Sequence, residues 1–298
     1  MEQTEILRKK FKSLVLGKGV VLPGAFNALT ARLIEEAGFK GVYISGAGLN
    51  NGAGFPDIGL LTLTEFAAMA KYITGATSLP CICDADTGFG EAVNVARCVS
   101  ELEQAGLAGI HIEDQVFPKR CGHLSGKQLI PVEQMARKIK TAVLSRKDKN
   151  FLIIARTDAR SVESFDKAVE RARAYAKAGA DVIFAEALKT SEEFARFARK
   201  VKTPLLANMT EFGVSPLLSS QELLKMGYKI VIYPMGAFRT MMKACEGFYA
   251  AIKKEGTQAG ILDKMQTRKE LYALLDYDSY TKLDEKAYGD FRGNIGKK

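Results

Sequence analysis

Histidine is scarce in this sequence, with two in 298 residues, and no apolar run approaches the roughly 18 residues a membrane helix needs. No membrane partner is therefore expected. Five cysteines in so long a chain are too few for a disulfide framework. The opening stretch MEQTEILRKKFKSLVLGKGVVLPG lacks the basic, then apolar, then small-residue order of a secretory signal. Together these absences lead us to expect a reduced, cytoplasmic protein. The net charge of +9 and pI near 9.2 would suit a polyanion. However, there is no arginine-rich arm, no aromatic RNA-binding pattern and no zinc-finger spacing, so no nucleic-acid partner is expected. Excess lysine reads as helix-surface solvation, with attraction of small anionic substrates as a second contribution.

What the chain has in quantity is alternation. β-Rich segments recur as VVLPGAF, GVYISG, CICDADTG, GIHIEDQ, FLIIARTDA, VIFAEA, LLANM and IVIYPMGA, with amphipathic helical stretches between them. NALTARLIEEAGFK and FDKAVERARAYAKAGA each end at a glycine suited to closing a helix, Gly38 and Gly179. Eight such units predict an α/β fold of the (β/α)8 TIM-barrel class, whose usual size is about 250 residues. A doubly wound sheet is the alternative and would use fewer strands. An amphipathic helix over about 3–16, with Ile6, Leu7, Phe11, Leu14 and Val15 on one side, precedes the barrel. A helical extension over about 239–285 follows it, one helix stopping at Gly256 and another running through MQTRKELYALLDYDSYTKL. No linker divides the chain, so residues 1–298 read as one domain. The extension is a candidate oligomer interface or cover for the barrel base.

Function in such barrels gathers at the C-terminal ends of the strands, and here those ends are polar. Alternation of side chains along a strand puts Asp84 with Asp86, Tyr43 with Ser45, His111 with Glu113, Arg156 with Asp158, Phe184 with Glu186, and Leu206 with Asn208. Asp84, Asp86 and Glu113 make an oxygen-rich set suited to Mg2+ or Mn2+. Arg156 offers a fork for a substrate carboxylate, while Asn208, Ser45 and the small-residue turn Gly46-Ala47-Gly48 offer hydrogen bonds and close backbone approach. Each residue alone reads as an ion pair or a strand-end cap. The whole set at one rim points to a site.

Other patterns fail. GAGLNNG has its last glycine one residue too late for a dinucleotide fingerprint and lacks the helix start expected after it. DADTG begins like a calcium loop but has Phe89 and Val95 where glycine and glutamate are required. Cys81 and Cys83 lack a second pair for zinc and are expected to pack against helices, and His111 is expected to be a hydrogen-bonded core residue. Cys121, in KRCGH after the fourth strand, has Lys119, Arg120 and His123 close by in sequence, which would lower its pKa toward a thiolate. On the residues alone a chemical role and an ordinary exposed thiol stay equally open.

KRCGH on that loop resembles the signature of the isocitrate lyase and phosphoenolpyruvate mutase superfamily. VYISGAG, FPDIGLLT, CDADTGFG, HIEDQVFPKRCGHLSGK, IIARTDA, FAEA, LANMTEFG and YPMGAFR extend the resemblance over nearly the whole chain. With GTQ and MQTRKELY, it is most similar to the bacterial 2-methylisocitrate lyase subgroup. The resemblance implies a barrel with a helix exchanged between paired subunits, a homotetramer, and a Mg2+ site with Mn2+ as a possible substitute. It implies Asp84 and Asp86 as metal-site residues, Glu113 acting directly or through water, and Asp57 nearby. It assigns an anionic di- or tricarboxylate substrate to Ser45, Gly46, Ala47, Cys121, Gly122, Arg156, Glu186, Asn208, Met209, Thr210, Arg239 and Arg268. Ala47 departs from the glycine common there but keeps its backbone N–H. Cys121 would be the general acid, Tyr43 the first choice of base with Lys119 or a metal-bound hydroxide behind it, and His123 would tune the thiol or hold substrate. The implied reaction splits 2-methylisocitrate into pyruvate and succinate in propionate breakdown. Phe184 and Ile232 would form an apolar wall for the methyl group. Isocitrate, 2,3-dimethylmalate, phosphonopyruvate mutase or oxaloacetate decarboxylase chemistry, and a non-catalytic metal-binding scaffold are the alternatives.

Overall fold

The computed structural model describes residues 2–295. Eight parallel strands close into a barrel in sequential order, with β1 (Val20–Ala25) pairing both β2 (Val42–Ile44) and β8 (Ile230–Tyr233). Between these run β3 (Cys81–Asp84), β4 (Gly109–Glu113), β5 (Leu152–Thr157), β6 (Val182–Ala185) and β7 (Leu205–Asn208). Strands this short, buried on both faces, read as apolar runs whose parity separates two cores. Leu22, Tyr43, Ile82, Ile154, Phe184, Leu206 and Ile232 fill the barrel interior, while Cys81, Cys83, Ile110, Ile153 and Ile183 face the helices. The doubly wound alternative is excluded by closure, and the two β3 thiols pack as expected.

Helix α1 (Glu2–Leu16) plugs the interior from the N-terminal end: Phe11 and Val15 join the interior cluster and Leu14 packs against it. Burying one such side chain contributes about 1.5–3 kcal/mol. Ile6, expected on the buried side, is 54% exposed. Helix α2 (Ala28–Glu36) starts at a reciprocal Asn27–Thr30 cap and turns out at Gly38. The expected turn at Gly46 is instead α3 (Gly46–Gly52), capped by Ser45, whose Oγ accepts from Gly48 N at 3.2 Å. Side-chain hydrogen bonding by Ser45 is thus what converts the small-residue run into a helix. Helices α4 (Leu63–Gly75), α5 (Ala92–Gln104), α6 (Val132–Ser145), α7 (Ala159–Val162), α8 (Phe165–Lys177), α9 (Ser191–Lys200) and α10 (Ser220–Met226) complete the alternation.

The chain divides into two compact units, one ending at Arg239 and one starting at Thr240. Helix α11 (Gly236–Glu255) begins in the first and is closed by Gly256 in the left-handed region. The second unit continues through a 3-10 turn (Ala259–Lys264), α12 (Arg268–Leu274) and α13 (Tyr277–Ile295). One helix was expected over the last two. Asp276, at φ 54°, breaks it, so α12 and α13 are separate.

Candidate active site

The strand register sets the site. Asp84 lies in register with His111 across β3–β4, and Glu113 with Arg156 across β4–β5. All four side chains therefore point into the C-terminal mouth of the barrel. Just past β3 the backbone turns sharply, and Asp86 takes a left-handed φ of 45°. A non-glycine residue there is strained, and such strain is common at functional sites. The Asp84 carboxylate holds the turn by accepting from Asp86 N at 2.9 Å. Close approach on the other side requires Gly46, where a Cβ would lie 2.7 Å from Asp84 Oδ2.

Burial raises Asp84 and lifts Asp86 to about 6, in each case against the pull of Lys119. Burial likewise pushes Glu113 well above the usual carboxylate range, with Arg156 opposing it. Lys119 Nζ stands between Asp57, which it contacts directly, and Asp86 Oδ1 at 3.0 Å. Burial alone would favour losing its proton, but Asp86, Glu113 and Asp57 outweigh this and hold Lys119 well above its ordinary value. In this arrangement Lys119 is a protonated partner of these carboxylates.

Apart from ion pairs, neither oxygen of Asp86 or Glu113 finds a hydrogen-bond donor. Buried acidic oxygens without donors are the chemistry that a hard divalent cation satisfies. Among the described residues, no three His, Cys, Asp or Glu side chains already converge on one point. A small ion that keeps several waters needs only one or two carboxylates, so the donor set fits.

Tyr43 and His111 form a buried pair, Tyr43 Oη lying 2.8 Å from His111 Nε2. Burial, then Arg156, pushes His111 down to about 3, so the ring is neutral, and its Nδ1 faces Asp84 Oδ1 at 3.5 Å. A hydroxyl donating to Nε2 assigns the ring proton to Nδ1. Burial followed by the Asp84 charge raises Tyr43 well above its ordinary value.

Arg156 does not present the free fork expected of it. Its Nε and Nη2 donate to Asp158 at 3.0 and 3.2 Å, Nη1 lies 3.0 Å from Glu113 Oε2, and Nη2 lies 3.5 Å from Glu186 Oε2. The guanidinium sits over Phe184 at 5.2 Å from the ring centroid. Phe184 is therefore a buried floor under Arg156, and Ile232 is buried in the same interior; neither is an open wall. Glu186 also meets His123 Nε2 at 3.2 Å and accepts from Asn208 Nδ2 at 3.1 Å. Burial opposes its charge, but Arg156 and His123 prevail and keep it ionised.

Cys121 is half-buried, and the three basic residues near it in sequence serve other groups. Lys119 turns to Asp57 and Asp86, Arg120 Nη1 reaches Ser125 O, and His123 bridges Glu186 and Val214 N. Burial raises the thiol pKa, with a hydrogen bond from the His123 backbone opposing it. The expected thiolate is corrected: sulfur keeps its proton.

Ser45 Oγ also donates to Met235 Sδ at 3.5 Å, and Ala47 is half-buried at the start of α3. Met209 turns into the barrel–helix core, and its sulfur accepts from Leu218 N at 3.3 Å, so its side chain is not at the mouth. Thr210 is half-buried beside it. Arg239 lies at the rim, 3.5 Å from Glu211 Oε2 and over Phe212. Arg268 opens α12 in the second unit, exposed. Lys127, Gln115 and Glu211 were not anticipated. Their partners are distant strand ends or loops, and no local spacing announces them.

The sequence profile described as phosphoenolpyruvate phosphomutase matches residues 11–253. The chain belongs to the phosphoenolpyruvate mutase/isocitrate lyase superfamily. It is 55% identical over 265 residues to the 2-methylisocitrate lyase of Aeropyrum pernix, covering 89% of this chain and 85% of that one. Superfamily member 2,3-dimethylmalate lyase, in its trigonal crystal form, superposes with a TM-score of 0.88 at 35% identity, over 96% of this chain and 95% of that one. Phosphonopyruvate hydrolase, whose structure holds oxalate and Mg2+, matches with a TM-score of 0.85 at 30% identity, over 93% and 98%. Metal dependence is a property of this superfamily. No described helix of this member is long and apolar enough to cross a membrane.

Proposed function

We propose that the chain is a Mg2+-dependent carbon–carbon lyase that cleaves 2-methylisocitrate to pyruvate and succinate in propionate breakdown. The observation that carries this reading is the 55% identity to the Aeropyrum pernix 2-methylisocitrate lyase over 89% of the chain. Asp84 and Asp86 would hold the ion, Glu113 directly or through water, with Asp57 close by; Mn2+ is the natural substitute. When bound, Mg2+ supplies Lewis acidity to the substrate hydroxyl and its neighbouring carboxylate.

The remaining chemistry belongs to the chain. Ser45, the Gly46 and Ala47 backbone, Gly122, Asn208, the backbone at Met209, Thr210 and Arg239 receive the substrate carboxylates. Arg156 and Glu186 work through their mutual ion pairs, which fix the site's charge. Tyr43 is the first choice of acceptor for the hydroxyl proton, with its Oη held 2.8 Å from His111 Nε2. The carbonyl of pyruvate forms as the carbon–carbon bond breaks, and that electron pair stays on the succinate carbon. Cys121 then delivers its proton to this carbanion. His123, between Glu186 and Val214, holds the loop in place.

Five free thiols support a cytoplasmic site of action. In the second unit the exposed Tyr249, Tyr272, Tyr277, Tyr280 and Leu283 suit burial against another copy of the chain, and the family resemblance makes that assembly a homotetramer of helix-swapped dimers. Incubation with 2-methylisocitrate, isocitrate, 2,3-dimethylmalate and oxaloacetate, with Mg2+ or a chelator, tests the reaction. Pyruvate plus succinate from 2-methylisocitrate, abolished by chelation, is the expected outcome; preferential glyoxylate release from isocitrate would overturn it. The 2,3-dimethylmalate lyase likeness favours dimethylmalate as the second reading.

A further inference from the structure

The loop that carries Cys121 leaves β4 and is held to the barrel mouth by a few side chains. Gln115 brackets Arg120, accepting from its N and donating to its O at 2.9 Å each. His123 joins the far side of the loop to Glu186 and Val214. Between them, Lys127 turns back beneath the loop. Its ammonium donates to the Gly122 carbonyl oxygen and, at 2.9 Å, to Asp158 Oδ1. The Lys127 side chain is 1% exposed and Asp158 is fully buried. Burying an ammonium is costly unless it is closely paired, and one left behind without its partners destabilises its surroundings.

Both partners of Lys127 bear on the site. Gly122 follows Cys121 directly, and its Cα is seated so closely on Arg156 and Glu186 that a Cβ would collide with both. Asp158 is the carboxylate that takes two hydrogen bonds from Arg156. We propose that Lys127 is a positioning residue that seats the Cys121 loop on the Arg156–Asp158–Glu186 ion-pair network, fixing the thiol over the site and shielding it from solvent. Its catalytic consequence rests on Cys121 being the proton donor; the seating of the loop does not.

The test separates the two. Full-length protein is treated with iodoacetamide, and each cysteine is followed by peptide mapping in wild type, Lys127→Met, Lys127→Gln and Lys127→Arg. Cys245, half-buried, serves as a labelling reference, and buried Cys81, Cys83 and Cys98 report global opening. In Lys127→Met, Cys121 labels at least about tenfold faster while the three buried thiols stay protected, the pattern of a local rather than a global opening. Turnover of 2-methylisocitrate falls about 100-fold, in kcat more than KM, as expected for a misplaced catalytic group. Lys127→Arg, which keeps the cation, recovers part of both. Lys127→Gln, which keeps one donor toward the Gly122 carbonyl, repeats the comparison in a milder variant. Cys121 labelling at the wild-type rate in Lys127→Met and Lys127→Gln, with the buried thiols protected, would overturn the proposal whatever the substrate proves to be.

Discussion

Burial keeps the Cys121 proton on sulfur, and the basic side chains near it in sequence are engaged by Asp57, Asp86, Ser125 and Glu186. A proton donor has to be protonated, so raising its pKa moves the alkaline loss of activity upward. The kcat/KM profile is expected to hold through pH 8 and to fall only above the ordinary thiol range of about 8.5. An alkaline limb below pH 7.5 would show that a thiolate, or another group, limits the reaction. Cys121→Ser is expected to lower kcat about 100- to 10,000-fold with a much smaller change in KM. Sequence neighbours misled on this point because three nearby basic residues say nothing about where their side chains point. Strand parity and register turn Asp84 and Glu113 toward the barrel mouth, whereas Asp86 lies past the end of β3 in a left-handed turn that parity does not describe.

At the scale of elements, the site depends on close backbone approach at two glycines. Gly46 opens α3 against the Asp84 carboxylate, and Gly122 seats the Cys121 loop on Arg156 and Glu186. Gly122→Ala is therefore expected to lift the loop and cost about 100-fold in kcat, while thermal unfolding of the barrel is little changed. Unaltered steady-state kinetics would show that the loop has room the contacts deny. The helix starting at Gly46 was hidden in the sequence because glycine and alanine carry turn and helix signals alike, and the deciding contact is the Ser45 cap. The break at Asp276 was hidden for a related reason: apolar periodicity runs on through α12 and α13, and only a left-handed φ separates them. By contrast, Gly38, Gly179 and Gly256 stop helices where their positions predict.

For the molecule as a whole, eight βα repeats made the barrel legible, since only closure buries both faces of eight short apolar strands. The Arg156–Asp158–Lys127 network was not legible, because it joins β5 to a loop about 30 residues earlier and depends on tertiary packing. The exposed aromatic residues of the second unit have a consequence for assembly: sedimentation at micromolar concentration is expected to give the mass of four chains, and a stable monomer would contradict the helix-swapped arrangement. Substrate choice is the most demanding claim, because one methyl group more or less on a substrate changes kcat/KM by only about 10–200-fold. The measurement that tests it most directly is kcat/KM for 2-methylisocitrate, isocitrate and 2,3-dimethylmalate on one Mg2+-loaded preparation. The account predicts 2-methylisocitrate ahead by at least about tenfold; a higher value for 2,3-dimethylmalate or isocitrate would contradict it.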